Sequence, residues 1–164
     1  MALFDFLKKN DGFEVSDDAI VAPADGKVVN VELVKDAVFS SKMMGETYAF
    51  TYQGDTVTVC SPANGELKTL VPTLHAFRIQ TNDGKEILVH IGVGTVYANG
   101  EGFKIEGKKQ GDIVKAGDPI VTVDLKRLRD SYDLTTMVVV TNPDGKDIQF
   151  IETNDVKKGQ SLLK

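Results

Sequence analysis

The stretch His75-Ala-Phe-Arg-Ile-Gln-Thr-Asn-Asp-Gly-Lys-Glu-Ile-Leu-Val-His90 decides how this chain is read. Two runs of strand-forming residues flank Asn82-Asp83-Gly84-Lys85. Asp-Gly is a preferred two-residue hairpin loop, because both loop positions must take positive φ. A loop of that length pairs Phe77 with His90, Ile79 with Leu88 and His75 with Gly92. Directly opposed residues share a face. His75, Phe77, Leu88, His90 and Gly92 are therefore expected to point the same way, with the histidines as diagonal neighbours. Gly92, lacking a side chain, would leave space in front of His75. The parity rests on the turn, since a three-residue loop would reverse it. His75 and His90 are the only two histidines in 164 residues.

Outward from this hairpin the pattern repeats. Short runs rich in Val, Ile, Thr, Phe and Tyr fall at Lys27–Leu33, Glu46–Tyr52, Thr56–Cys60, Pro119–Leu125, Met137–Thr141 and Ile148–Ile151, separated by Gly, Asn, Asp and Pro. Many short strands at this spacing predict an all-β chain, an antiparallel β-sandwich or flattened barrel. Helix is scarce: Leu125–Tyr132 is the best candidate, and Ser40–Met44 has room for one turn. Two echoes suggest duplication. Ala22-Pro-Ala-Asp-Gly-Lys-Val28 recurs 39 residues later as Ser61-Pro-Ala-Asn-Gly-Glu-Leu67, and Val114-Lys-Ala-Gly-Asp-Pro-Ile120 recurs more loosely 42 residues later as Val156-Lys-Lys-Gly-Gln-Ser-Leu162. The Asp-Gly and Asn-Gly pairs, with Gly117 and Gly159, are expected to supply the positive φ angles of tight hairpins.

Residues 1–18 read as a tail and residues 19–164 as one domain. In the tail, Leu3, Phe6 and Leu7 fall at i, i+3, i+4, with Lys8 and Lys9 beyond, the spacing of a short amphipathic helix. Asn10 to Asp18 reads as a polar linker. The helix either folds back on the body or makes weak contact with a membrane surface through residues 1–10. The net charge of −5 argues against a nucleic-acid partner. No apolar run is long enough for a membrane-spanning helix. One cysteine gives no disulfide framework, and with no signal-peptide pattern a reducing cytoplasm is expected. Cys60 reads as a small core residue.

A neighbouring histidine pair suits three chemistries. Zinc wants three or four protein ligands, and no third is near in sequence. Acid–base hydrolysis needs a metal or a Ser or Cys nucleophile. Phosphohistidine chemistry needs less: one neutral imidazole attacks a phosphoryl group while the other donates to its oxygens. The attacking nitrogen is free when the ring's other nitrogen donates to a backbone carbonyl.

The run Gly84-Lys-Glu-Ile-Leu-Val-His90-Ile-Gly-Val-Gly-Thr95-Val96 resembles the phosphorylation-site signature of the glucose-type enzyme IIA family of the bacterial sugar phosphotransferase system. Thr73-Leu-His75-Ala-Phe77 is similar to that family's second active-site segment. Further matches are Ala22 to Gly26, Asp36-Ala-Val-Phe39, Lys42-Met-Met-Gly45, Gly100-Glu-Gly-Phe103 and Gly117-Asp118, so the likeness covers about residues 20 to 164. The resemblance implies a cytoplasmic phosphocarrier on a duplicated hybrid (barrel-sandwich) β fold that needs no cofactor. His90 would take the phosphoryl group on Nε2 from phosphorylated HPr and pass it to a cysteine of an enzyme IIB domain. His75 would stabilise the phosphate, and Thr73 and the backbone of Gly92 would orient the pair. The docking ring implied by similarity is Val38, Phe39, Met43, Met44, Val71, Leu88 and Val96, with Asp36 on an acidic rim. Exposed Met and Phe around a nucleophile suit a promiscuous docking face.

The chain departs from the family pattern at Gly94, where an aspartate is usual, and at Gly45-Glu-Thr, where Gly-Asp-Gly is usual. Met-Ala-Leu-Phe-Asp-Phe-Leu-Lys8 resembles the amphipathic tail of freestanding glucose IIA proteins, which implies peripheral lipid contact and a freestanding chain. Competing readings are a regulatory binding protein switched by phosphorylation, a zinc-dependent hydrolase of similar fold, and a lipoyl- or biotin-type carrier. Zinc at His75 and His90 would need a ligand supplied by a partner. The lipoyl-type reading lacks its lysine between methionines, since Lys42 precedes Met43-Met44.

Overall fold

The computed structural model describes residues 14–164. Eleven strands form two antiparallel sheets among the described residues. The larger sheet has the order β11 (Asp155–Val156), β1 (Gly26–Val29), β2 (Glu46–Thr51), β10 (Asp133–Asn142), β6 (Glu86–Val93), β5 (Ala76–Thr81), β4 (Gly65–Leu70) and β8 (Ile113–Val114). The smaller runs β3 (Thr56–Cys60), β9 (Pro119–Asp124) and β7 (Phe103–Ile105). Two single-turn helices interrupt the strands: α1 (Ala37–Ser40) and α2 (Leu125–Leu128).

The mainly-β expectation holds, with differences at the ends. The run expected as one strand from Lys27 to Leu33 stops at Val29. There Asn30 turns the chain, its side chain accepting from the Glu32 amide at 2.9 Å, and Val31–Leu33 form a 3₁₀ turn. Ile148–Ile151 contributes only a bridge between Phe150 and Leu163. The helix expected around Ser40–Met44 lies earlier, because the Asp36 carboxylate caps it through the Val38 amide at 2.9 Å.

The two sequence echoes meet each other. Gly26 pairs with Val156, and Gly65 with Val114. Ala22 N donates to Gln160 O and Ser61 N to Asp118 O, each at 2.8 Å. Lys158 N donates to Asp25 Oδ1 at 2.8 Å, as Ala116 N does to Asn64 Oδ1 at 2.9 Å. Val21 N to Pro62 O and Cys60 N to Pro23 O then join the two copies. Gly117 and Gly159 take the left-handed backbone expected of them, but Gly26 and Gly65 do not. Those two are glycine because the facing strand is too close. A Cβ on Gly65 would lie 2.0 Å from Gln80 O, and one on Gly26 would lie 2.7 Å from the Phe50 ring. Asp25 and Asn64 serve as side-chain caps, not as turn residues.

Strand alternation divides the apolar residues between two clusters. Phe77, Ile79, Ile87, Val89, Ile91, Val138 and Val140 face inward, with Val59, Val121 and Val123 of the smaller sheet in the same cluster. Ala76, Leu88, Ala49, Met137 and Val139 point to the outer face, where Val31, Val34 and Phe39 cover them. Residues 31–44 thus form a cap on the outside of the large sheet, beside the strand that carries His90. The amphipathic tail expected at residues 1–10 lies outside the described residues. The part of the linker that is described, residues 14–18, is fastened to the body. Asn64 Nδ2 donates to Val15 O, Asn82 Nδ2 to Asp17 Oδ1, and Lys85 Nζ to Asp18 O.

Candidate functional site

The hairpin that carries both histidines is out of the expected register by one residue. Ala76 faces His90, Phe77 faces Val89 and Arg78 faces Leu88. The connection is a three-residue loop, Asn82 to Gly84, closed by Thr81 N to Lys85 O at 2.8 Å, with Gly84 in the left-handed position at φ 101°. Side chains select this turn. Thr81 Oγ1 accepts from Lys85 N at 2.8 Å, and the Lys85 ammonium, 1% exposed, bonds Asp83 Oδ2 at 2.6 Å. Phe77 consequently belongs to the inner core and not to the histidine face. Ile79 faces Ile87 and not Leu88.

The two imidazoles are neighbours nonetheless. His75 lies in the β4–β5 loop, where Leu74 at φ 62° breaks the strand alternation. Its carbonyl accepts from Ile91 N at 2.7 Å, which ties the loop to β6. Its ring meets that of His90 edge to face, centroids 5.1 Å apart and planes at 82°. His75 Nδ1 lies 2.7 Å from Thr73 Oγ1. His90 Nδ1 lies 2.8 Å from the Gly92 carbonyl oxygen. A carbonyl can only accept, so in the neutral ring Nδ1 carries the hydrogen and Nε2 keeps its lone pair.

The surroundings favour neutral rings. Burial, and then the neighbouring His75, hold the His90 imidazole down at about 4, against the opposing influence of the Gly92 carbonyl and the Asp36 carboxylate. Burial also lowers His75. The Phe39 ring packs against His90 at 4.9 Å, tilted by 49°. Small Ala76 and unbranched Met137 stand in register with His90 on either side.

Gly92 has a different reason to be glycine from the one expected. Its φ is +82°, and a Cβ there would lie 2.4 Å from Thr95 Cγ2. Of the expected docking ring, Val38, Met43 and Val96 are exposed, and Met44 and Val71 are half-buried. Phe39 and Leu88 are buried at 5% and 8% exposure, so they support the site from below instead of forming its exposed rim. Asp36 is half-buried and spends one carboxylate oxygen on the α1 cap. Cys60 is buried as a free thiol remote in the fold, on β3 of the smaller sheet. Among the described residues no group of three or more His, Cys, Asp or Glu could hold a metal ion.

Residues 18–146 match the family model described as phosphoenolpyruvate-dependent sugar phosphotransferase system, EIIA 1. The chain belongs to this EIIA family. It is similar to the glucose-specific EIIA component of Mycoplasma capricolum, at 38% identity over 141 residues, 85% of this chain and 90% of that one. The glucose-specific EIIA component of Staphylococcus aureus is 37% identical over 156 residues, 93% of this chain and 92% of its own. The solved structure of glucose permease IIA from Mycoplasma capricolum aligns with a TM-score of 0.80 at 36% identity, covering 88% of this chain and 93% of that one. The glucoside-specific EIICBA component of Staphylococcus carnosus is 39% identical over 145 residues, 88% of this chain and 20% of that protein. The chain thus spans about a fifth of the length of such longer relatives. Its β-rich fold is shared with that solved structure.

One buried residue that the sequence reading left without a role packs beside Gly92. Thr95 is fully buried, and its hydroxyl donates to the Ile91 carbonyl four residues back, at 2.5 Å. The only sequence signal for it was a threonine four residues after an isoleucine where the strand ends.

Proposed function

We propose that this EIIA component carries phosphoryl groups on Nε2 of His90. The observation that supports this most is the hydrogen bond between His90 Nδ1 and the Gly92 carbonyl, which leaves Nε2 as the nucleophilic atom. In the uptake step the N–P bond of a phosphohistidine donor, HPr, breaks as the Nε2–P bond forms. The ring gains positive charge as Nε2 commits its lone pair, and the Gly92 carbonyl holds the Nδ1 proton against that charge, so no proton leaves. In the onward step a cysteine thiolate of an enzyme IIB domain attacks phosphorus, and Nε2 departs with its electron pair. Positioning and electrostatics do the catalysis, as is general for phosphoryl transfer.

His75 acts as a hydrogen-bond donor. With the Thr73 hydroxyl donating to Nδ1, the neutral ring carries its hydrogen on Nε2, free to meet a phosphoryl oxygen. Burial lowers the proton affinity of His75, which favours the neutral ring before a phosphoryl group arrives. The exposed apolar side chains of Val38, Met43 and Val96 offer the docking surface. A phosphate placed among them adds charge that discourages apolar partners, so the same face suits regulatory targets that read the phosphorylation state. No helix among the described residues is long and apolar enough to cross a membrane. A relay fed by phosphoenolpyruvate is the observation that supports a cytoplasmic reading.

The test is incubation with enzyme I, HPr and phosphoenolpyruvate followed by intact mass measurement. Wild type takes up one acid-labile phosphate, and His90→Ala takes up none. A wild-type protein that stays unphosphorylated overturns the proposal.

A further inference from the structure

Gly92 presents a problem that its neighbour Thr95 solves. Glycine populates positive and negative φ about equally, so nothing in Gly92 itself keeps its backbone at φ +82° with the carbonyl aimed at His90 Nδ1. Something outside it must hold that peptide.

Thr95 grips it at two points. Its methyl fills the space where a Gly92 side chain would begin, 2.4 Å from the ideal Cβ position. Its hydroxyl donates to the carbonyl of Ile91, the residue between His90 and Gly92. The amide of the same Ile91 donates to the His75 carbonyl at 2.7 Å. Ile91 is therefore tied on one side to the loop of His75 and on the other to Thr95. The tie falls where β6 leaves its regular pairing: the β6–β10 register shifts between Asp133 and Thr136, the residues facing Val93 and Ile91. Thr95 opens the 3₁₀ turn of residues 95–98, fully buried, with its hydroxyl spent on a backbone carbonyl, while its neighbour Val96 is exposed.

We infer that Thr95 is a positioning residue for His90: it anchors the Ile91–Gly92 peptide and packs its methyl on the Gly92 Cα, which holds Gly92 at its positive φ so that the carbonyl of the next peptide stays on Nδ1 and fixes the Nδ1–H tautomer of the nucleophile. The inference rests on the reading of His90 as phosphoryl acceptor. The bonds of Thr95 go to the backbone of Ile91 and its methyl to Gly92, so it acts on His90 through the backbone. Removing the hydroxyl releases the peptide on the N-terminal side of Gly92, the glycine hinge lets the Gly92 carbonyl turn away from Nδ1, and the neutral imidazole then shares its hydrogen between Nδ1 and Nε2.

The experiment compares wild type with Thr95→Val and Thr95→Ser, by ¹⁵N NMR of the imidazole nitrogens and by the rate of phosphate uptake from phosphorylated HPr. In Thr95→Val the His90 Nε2–H tautomer rises and uptake slows about tenfold through the rate constant and not through donor affinity, because the docking face is intact. The His75 nitrogen signals stay as in wild type. Thr95→Ser keeps the hydroxyl and restores both tautomer and rate. Unchanged His90 tautomer and rate in Thr95→Val overturn the inference, as does a Thr95→Ser variant as slow as Thr95→Val. If Thr95→Val does not fold, the wild-type Thr95 hydroxyl proton decides. Slow exchange with coupling to the Ile91 carbonyl supports the lock, and free exchange with water refutes it. Failure of wild type to phosphorylate at all sinks the acceptor assignment and leaves the tautomer measurement standing on its own.

Discussion

The rings of His75 and His90 meet edge to face, 5.1 Å between centroids, although the ladder places Ala76, not His75, in register on the His90 face. The contact exists because His75 stands outside the strand and is swung across by left-handed Leu74, while Thr73 fixes its ring. His75 is thus held by its loop and by Ile91, and His90 by β6. Replacing it with alanine should leave uptake on His90 detectable, since the Gly92 carbonyl still sets the tautomer. Transfer to the IIB cysteine should fall by about two orders of magnitude, because the donor aimed at the phosphoryl oxygens is gone. Single-turnover transfer from the phosphorylated variant measures this, and unimpaired transfer removes His75 from the mechanism.

The low proton affinity of His90 makes a prediction about acid. Its folded-state value of about 4 lies below the ordinary 6.5, so between those values the unfolded chain binds a proton that the folded chain refuses. Stability should therefore be fully present above about pH 6.5 and decline as pH falls towards 4, by up to about 3 kcal/mol from this group. His90→Gln should flatten that part of the pH profile in urea titrations. Uptake of phosphate should stay level from pH 8 to 6 and fall only near 4, when Nε2 itself becomes protonated. A midpoint for uptake near 6.5 contradicts the neutral-ring account.

Gly92→Ala should be among the most damaging single changes near the site. Alanine at φ +82° is strained, and its methyl would press on Thr95 Cγ2 and on Asp133 O at 3.0 Å. The combined strain and overpacking should cost roughly 2–4 kcal/mol in chemical denaturation. Any folded protein should lose the Nδ1–carbonyl bond and with it most phosphate uptake. Gly107→Ala, at a positive-φ glycine with open space around it, controls for backbone strain alone.

The buried Lys85 is a structural counterpart at the other end of the hairpin. Its ammonium is 1% exposed and is shared between Asp83 and the Asp18 carbonyl. Lys85→Met removes the cation bonded to Asp83 and should destabilise the fold by about 3 kcal/mol. It should also raise hydrogen exchange in residues 14–18. Adding Asp83→Asn should recover much of the loss, since replacing both charges avoids an unpaired carboxylate. Equal stability of Lys85→Met and wild type would show the pair to be dispensable.

This residue also explains what the sequence could and could not disclose. Alternating apolar runs made the sheets legible, and the Ala-Pro-Ala-Asp-Gly echo located the two halves that bond each other through Asp25 and Asn64. The hairpin register was not legible, because the choice between a two- and a three-residue loop at Asp83-Gly84 is made by a lysine turned inward onto Asp18, 67 residues away. An exposed lysine would be the expectation for that residue type. The error in parity exchanged Phe77 for Ala76 on the histidine face. The pairing of the histidines survived it because His75 had already left the ladder. Glycines were misread for a related reason: Gly26, Gly65 and Gly92 answer to neighbours distant in sequence or off the strand, and turn rules do not describe those.

Gly94 stands where the resemblance led us to expect an aspartate, and the structure makes that exchange testable. Gly94 caps the 3₁₀ turn of residues 95–98 at φ 70° and ψ 12°, and the nearest atom to an added Cβ is Tyr97 Cδ2 at 3.9 Å. Aspartate is among the residues that tolerate this left-handed conformation, so Gly94→Asp should fold at a cost of about 1 kcal/mol or less. The new carboxylate, four residues from His90, should draw in a basic donor and accelerate uptake from phosphorylated HPr by about threefold at low ionic strength. The gain should disappear near 1 M salt, where the screening length shrinks to about 3 Å. The same charge repels a phosphate already on His90, so the phosphorylated variant should lose its phosphate faster than wild type. Glycine at this place should therefore favour retention over rapid loading. Stopped-flow uptake across a salt series, with decay of the isolated phosphoprotein, measures both effects. Identical rates and salt slopes in Gly94→Asp and wild type would discard the proposal.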